Sequence, residues 1–467
     1  MIKPEDYIRH LLLNKGYALT PANEKLFNTF ASDEGNGEAV KIILENQQLL
    51  MDKWQIADRI NEVMQKQLMI PNATVNKPYS TELDFKKLGW EDVVVLSFEG
   101  FEEFGLTYEP ETKVISGSPD RSGDYKVKLR FRISGEPEDA GHEKLVSFIV
   151  NPDPKSLWKN IESNREDPYW KKDNVEVMDQ LGEKTIVVAS RRGRSHANVG
   201  SFRDDDFSYK YLNDSGWSIV AVSDGAGSAK LSRKGSEIAC KTVIEHFSEK
   251  LAGNFLKEVD SLVKEYKEDA ESSLKKLNLF VYTNLGEAAL KTHKELQRFA
   301  EENNAEIKDL HSTLIFTLFK KYEFGYAVFS FGVGDCPMAI LNKDCTEVTL
   351  MNWLDVGEFS GGTRFITMPE IFNSEKFSTR FSFKLIEDFS FLFLMTDGIY
   401  DPKFAVEANL EKMECWKEFI EDLEGKNSDN VKVEFVKQNK ELPQQLASWM
   451  DFWSPGNHDD RTLAVIF

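Results

Sequence analysis

The chain has 467 residues, with 58 Lys plus Arg against 78 Asp plus Glu, a formal charge of −20 with His neutral. This length allows several domains and at least one large buried core, and 41% hydrophobic with 29% charged residues exclude a disordered or collagen-like chain. The acid excess argues against nucleic acid as the main partner, because that affinity is built on Lys and Arg neutralising phosphates, and equally against an anionic membrane surface. In chain order, residues 1–72 read as a helical N-terminal region: Ile42, Ile43, Leu49, Leu50, Trp54, Ile56, Ile60 and Val63 recur largely at helical spacings until Pro71-Asn72. Residues 73–152 change to short Val-, Phe- and Tyr-rich runs between turn residues, the pattern of a small antiparallel β-sandwich. Residues 153–182 carry few strand or helix signals and read as a linker that docks. From 183 to 467 strand-like runs alternate with helical stretches at about 232–252, 257–303, 403–424 and 438–450. Cys240, Cys336, Cys345 and Cys415 are far apart and form no C-x-x-C pair, which fits buried thiols in a reducing compartment. Met1 to Asp6 lack the apolar run of a signal peptide, no stretch reaches the roughly 18 apolar residues that span a bilayer, and the expected location is cytoplasmic.

Several apolar strands stop at an aspartate. Val220-Ala221-Val222-Ser223 runs into Asp224-Gly225-Ala226-Gly227, Phe331-Gly332-Val333-Gly334 into Asp335, and Phe391 to Thr396 into Asp397-Gly398-Ile399-Tyr400-Asp401. The last strand is preceded by its acids, Asp459-Asp460-Arg461-Thr462. A single such Asp reads as a turn residue, but four strand-end sites in one chain point to carboxylates converging on a cation. All-oxygen ligation without Cys and with few His selects a hard ion, Mg2+ or Mn2+, over zinc. Glycine after aspartate also lets a backbone carbonyl approach a metal.

These motifs, with Gly193-Arg194-Ser195-His196 leading through Gly200 to Asp204-Asp205-Asp206-Phe207 and with His311-Ser312-Thr313-Leu314, resemble the metal-dependent protein phosphatases of type 2C in their bacterial branch. The resemblance covers about 183–467 and keeps the family's motif order. It implies an α+β fold, a four-layer αββα sandwich of two antiparallel sheets, with a metal centre between the sheets. By position, Asp224 would bridge two ions and the Gly225 carbonyl would bind one; Asp397 and Asp459 would complete the other, and Asp204 with Asp205 would supply the acidic pair. Asp335, Asp397 and Asp401 resemble a third, weaker metal position. The implied chemistry is hydrolysis of phosphoserine or phosphothreonine in proteins by a two-metal-activated water, with no protein nucleophile. Residues 105–119 and 122–125, in turn, resemble bacterial immunoglobulin-like domains, modules that bind or space.

Two positions depart from the family pattern. Ala226 stands where many members carry His, and Gly200 where many carry Arg. His196 is then a candidate general acid, with Arg194 and Ser195, beside Arg191 and Arg192, as substrate-binding candidates; the alternative is that these residues only order their loop. Lys230 either meets substrate or simply precedes a helix. The run of three acids leaves the register open among Asp204, Asp205 and Asp206. Trp416, Trp449 and Trp453 read as core anchors, residues 257–304 as a solvated helical face, and His10, His142, His246 and His293 are unclustered. The expected partners are a phosphorylated protein substrate, a cognate Ser/Thr kinase as its source, and a protein bound by the N-terminal module. A degenerate phosphatase that binds phosphoprotein or scaffolds a complex without turnover is the rival reading, and a small phosphorylated metabolite the rival substrate.

Overall fold

A computed structural model describes residues 3–251, 254–355 and 362–467. Met1 and Ile2, and residue 252 at the expected end of one helix, lie outside the described residues. The chain divides into two compact units, Met1–Leu157 and Trp158–Phe467.

The first unit begins with helices α1 (Pro4–Asn14), α2 (Glu24–Ala31) and α3 (Glu34–Gln65). Pro4 opens α1, where its missing N–H costs nothing, and the Asp33 carboxylate caps α3 by accepting from Asn36 N at 3.0 Å. Ile8, Phe27, Ala31 and Val40 make a small core at one end, and Val63 joins the β-core at the other. Between them residues 45–55 of α3 are all exposed. The helical spacing of Leu49, Leu50 and Trp54 therefore marks a helix correctly but not a buried face. Strands β1 (Ala73–Thr74), β2 (Tyr79–Glu82), β3 (Val93–Glu99), β4 (Leu106–Glu109), β5 (Val114–Gly117), β6 (Gly123–Ile133) and β7 (His142–Asn151) follow. They form two sheets, β1-β7-β6-β3 and β2-β5-β4, packed over Trp90, Phe101, Leu129, Phe131 and Phe148. The expected small β-sandwich is present, with one difference: β1 pairs parallel to β7.

In the second unit the strands are β8 (Asn174–Leu181), β9 (Lys184–Arg191), β10 (Asp206–Leu212), β11 (Trp217–Ser223), β12 (Leu314–Tyr322), β13 (Gly325–Val333), β14 (Met338–Asn342), β15 (Val348–Leu350), β16 (Phe381–Ile386), β17 (Phe389–Met395) and β18 (Arg461–Ile466). The helices are α4 (Arg194–Val199), α5 (Ser232–Lys250), α6 (Asn254–Glu268), α7 (Ala270–Glu302), α8 (Asp397–Phe404), α9 (Met413–Leu423) and α10 (Leu442–Trp449). A five-stranded sheet, β10-β11-β12-β13-β16, faces a six-stranded one, β15-β14-β17-β18-β9-β8, and every pairing in both is antiparallel. The layer between them is apolar and mostly aliphatic, with Ile186, Val188, Val220, Val222, Ile315, Leu394 and Ala464 beside Phe319 and Phe389. The opposite face of β11–β13 carries Trp217, Phe316 and Phe329 against Val243 and Phe247 of α5 and Leu285 of α7. The outer face of β9, β17 and β18 carries Val187, Phe393 and Val465 against Phe404, Trp416, Phe419 and Trp449. Strands buried on both faces read as the continuous apolar runs seen in the sequence, and the result is the four-layer αββα sandwich.

Three expectations about elements are corrected. The tail of the segment read as a linker is β8, an edge strand paired with β9 along its whole length. The helical stretch 257–303 is two helices, because the Asp269 carboxylate accepts from Ser272 N at 3.2 Å and starts α7 afresh. The stretch 403–424 likewise divides into the end of α8 and α9.

Candidate metal centre

The site is built at the ends of strands from both sheets. Asp224 directly follows β11, Asp335 follows β13 by one glycine, Asp397 opens α8 after β17, and Asp459 lies two residues before β18. Asp204 and Asp205 end the loop between α4 and β10. Small residues let these segments approach closely. A Cβ on Gly225 would lie 2.5 Å from the Asp204 carbonyl oxygen, and one on Gly398 would lie 1.9 Å from that of Asp460. Asp224 is pinned through its backbone, its N–H donating to Thr313 Oγ1 at 2.9 Å and its carbonyl accepting from Thr313 N at 2.8 Å.

Asp205 is 1% exposed; one carboxylate oxygen accepts from Thr396 Oγ1 at 2.8 Å and Thr462 Oγ1 at 2.7 Å. Its backbone carbonyl takes Lys171 Nζ at 2.7 Å and Arg203 Nη1 at 2.6 Å. Burial, and then the Asp460 charge, push its carboxyl up to about 7. Burial followed by the charges of Asp397, Asp205, Asp459 and Asp335 holds Asp224 well above the usual carboxylate range. For Asp397 burial leads, followed by Asp459, Asp335, Asp205 and Asp401. Asp335, Asp401 and Asp459 are raised as well, burial first in each. Five carboxylates thus destabilise one another's charge, with the exposed Asp401 at their rim. Asp335 Oδ2 accepts from Thr363 Oγ1 at 2.7 Å, but Asp335 Oδ1 and Asp397 Oδ1 are buried with no hydrogen-bond partner. Orphaned, mutually repelling hard oxygens suit hard divalent cations.

The three consecutive acids face different partners. Asp206 pairs with Lys171 at 3.1 Å; burial opposes its ionisation, but Lys171 and Arg203 outweigh burial and lower its pKa. Asp204 faces Asp460, His196 and Lys171, and burial followed by the Asp460 charge carries it up to about 6. Of the three, Asp205 is the member that Asp224 and Asp397 feel most directly.

His196 sits on the short helix α4, its Nδ1 3.1 Å from Asp460 Oδ1 and its Nε2 3.8 Å from Asp459 and 3.9 Å from Asp204. Burial opposes charge on the ring, but the Asp460 hydrogen bond and the charges of Asp460, Asp204 and Asp459 outweigh it, and its pKa rises to about 10. Asp460 is 2% exposed and also accepts from the N–H groups of Gly193 and Asp204, both at 2.5 Å. Those donors, with His196, lower its pKa against burial.

The basic cluster is spent elsewhere. Arg194 donates to the Phe452 carbonyl at 3.0 Å and to Asp451 Oδ1 at 2.7 Å, and Ser195 Oγ donates to the His458 carbonyl at 2.8 Å. Arg192 holds Asp173 and the carbonyls of Ile161 and Ser201, and Arg191 holds the Ala447 carbonyl. These contacts order loops, so the substrate-binding assignment of Arg194 and Ser195 is not supported. Gly200 has φ +73° as it ends α4, a conformation an arginine would adopt only with strain. Lys230 is exposed just ahead of α5. Trp416 and Trp449 are core residues, but Trp453 is half-buried, its ring 4.6 Å from that of His458.

A family model described as protein phosphatase 2C matches residues 192–450, more than half of the chain. The chain belongs to the protein phosphatase 2C family. Among solved structures it is similar to the catalytic domain of the serine threonine protein phosphatase PstP in complex with two manganese ions, at 14% identity over 62% of this chain and 98% of that one, TM-score 0.36. It is similar to the serine/threonine phosphatase Stp1 from Staphylococcus aureus at 13% identity over 66% and 98%, TM-score 0.32. A bacterial serine phosphatase matches at 14% identity over 60% and 96%, TM-score 0.33. No curated protein matches the chain.

Within this phosphatase 2C domain, Asp460 and Lys171 are the residues that sequence reasoning left without a role. Asp460 lies in the Asp459-Asp460-Arg461-Thr462 motif, beside the more obvious Asp459. Lys171 carries no local signal at all, since its partners are 34 or more positions away.

Proposed function

We propose that the chain is a Mn2+- or Mg2+-dependent phosphatase acting on phosphoserine and phosphothreonine in proteins. The observation that carries this is the convergence of Asp205, Asp224, Asp335, Asp397 and Asp459 with two orphaned carboxylate oxygens among them. Asp205, Asp224, Asp397 and Asp459, with the Gly225 carbonyl, would hold two cations, and Asp335 with Asp397 and Asp401 a third. When bound, the cations would offset the phosphoryl charge and lower the barrier to attack by water. Asp204, 3.9 Å from His196 Nε2, is assigned to favouring the protonated imidazole by its charge rather than to a cation. His196 is the general acid: Asp460 fixes its Nδ1 and leaves Nε2 facing Asp459 and Asp204 at 3.8 and 3.9 Å. As water adds to phosphorus and the bond to the seryl or threonyl oxygen breaks, the Nε2 proton passes to that oxygen, leaving inorganic phosphate and the free hydroxyl. Residues 1–72 and 73–152 are proposed as two attachments, helical and immunoglobulin-like, that recruit a protein partner; a Ser/Thr kinase is the proposed source of substrate.

The second reading, a phosphoprotein-binding protein without turnover, draws on Ala226, Gly200 and the engaged arginines. A phosphothreonyl peptide assayed with Mn2+ separates the two. The phosphatase reading expects phosphate release that chelator abolishes and that Asp224→Ala or Asp397→Ala removes. Release surviving both changes overturns it, and Mn2+ and peptide binding without release establishes the second.

A further inference from the structure

A cavity of about 630 Å³ lies away from the carboxylates, where the edge strands of the two sheets come together. Its walls include Leu350 of β15, the edge of the six-stranded sheet, and Phe381 of β16, the edge of the five-stranded sheet. Trp353 on the wall is 69% exposed, a large apolar surface that no element among the described residues covers. Glu407 and Glu411 also line it, and among the described residues neither has an ion-pair partner. Burial, and then the Glu411 charge, hold the Glu407 carboxyl above its ordinary range, so the two rim carboxylates lie close enough to repel each other and a cation between them would relieve both.

The floor of this groove is tied to the metal-centre loop. Met351 N donates to Met338 O at 2.9 Å, and Asp355 N to Gly334 O at 2.8 Å. Asn352 Nδ2 donates to Cys336 O at 2.9 Å and its Oδ1 accepts from Met338 N at 2.7 Å. Asp355 Oδ2 accepts from Gly334 N at 2.8 Å. Residues 351–355 therefore run bonded beside 334–338, the segment that carries Asp335.

We propose that this groove docks an extended segment of the phosphoprotein substrate, away from its phosphorylated residue, in which apolar and basic side chains alternate. The alternation follows from the strand period: one face sets apolar residues against Trp353, Leu350 and Phe381, and the other sets Lys or Arg against Glu407 and Glu411. An extended segment also satisfies backbone groups along an open sheet edge. The inference rests on the phosphatase reading for its consequence, but not for binding itself.

The test uses the full chain, a fluorescein-labelled peptide of alternating Arg and Leu, and a counterpart of alternating Glu and Leu, read by anisotropy. The Arg-Leu peptide is expected to bind, the Glu-Leu peptide not, and Glu407→Lys/Glu411→Lys and Trp353→Ala each to weaken binding by about tenfold or more. In a second arm, a phosphothreonyl peptide joined by a flexible Gly-Ser linker to the Arg-Leu segment should show a KM about tenfold below the unextended peptide. That advantage should vanish in the Glu407→Lys/Glu411→Lys variant while hydrolysis of p-nitrophenyl phosphate stays unchanged. Equal binding of the two peptides, or binding indifferent to all three substitutions, overturns the proposal even with phosphatase activity intact. Selective peptide binding with no turnover of any phosphoester overturns the phosphatase reading instead, and with it the groove's role in substrate selection.

Discussion

Asp459 and Asp460 are neighbours with different surroundings: the Asp459 side chain is 46% exposed, while Asp460 is buried and gathers three donors. A general acid matters most when the leaving group is poor, so His196→Ala should lower kcat on a phosphothreonyl peptide by about 10²- to 10⁴-fold. On p-nitrophenyl phosphate, whose leaving group departs without a proton, the loss should be far smaller. Asp460→Asn should show the same split more weakly, since it acts through His196. Equal losses on both substrates would remove His196 from the proton step. The repulsion within the carboxylate cluster makes a second residue-scale prediction. Asp397→Asn should raise the Tm of the metal-free protein, by on the order of 1 kcal/mol of stability, while abolishing the Tm rise that Mn2+ produces in the wild type. Calorimetric scans with and without Mn2+ check it, and a variant less stable without metal contradicts it.

At the scale of elements, the helical layer over the five-stranded sheet carries a pH-sensitive contact. His246 on α5 is 8% exposed and its Nε2 has no hydrogen-bond partner. Burial leads, Lys250 and Lys291 add to it, Glu287 and Glu249 oppose it, and the pKa falls to about 4. In the unfolded chain the ring titrates near 6.5. As pH falls from about 6.5 toward 4 the unfolded state takes up a proton that the folded state refuses, so stability present above that window is lost within it, by on the order of 1 to 3 kcal/mol. Urea unfolding of His246→Leu should show a flatter stability profile between pH 6.5 and 4 than wild type; parallel profiles would contradict this. Elements were legible where strands are buried on both faces, as in β11, β13 and β17, because the apolar run survives any tertiary context. Strand β8 was not, although Val175, Val177 and Leu181 alternate in it. An edge strand needs only one apolar face, and its remaining Glu, Asp and Gln read as loop.

For the whole molecule, the motif order made the phosphatase fold and most of the carboxylates legible, because strand-end Asp and Asp-Gly pairs are local signals. The start of the second compact unit, at Trp158, was not, because the segment between Trp158 and Asn174 is held by contacts distant in sequence. Lys171 reaches Asp205 and Arg233, Asp167 pairs with Arg233 at 2.9 Å, and Ile161 N donates to Ala197 O at 2.9 Å. A fragment beginning at Trp158 should therefore fold and keep phosphatase activity. One beginning at residue 183, where the motifs begin, should unfold or lose the Asp205 loop; an active fragment from 183 would contradict that account. Whether the converging carboxylates form a metal centre is decided by calorimetric titration of Mn2+ into the metal-stripped full chain. At least two ions should bind per chain, the Tm should rise with Mn2+ concentration, and binding should be lost in Asp224→Ala. No heat of binding and no change in Tm for Mn2+ or Mg2+ would contradict a metal centre there.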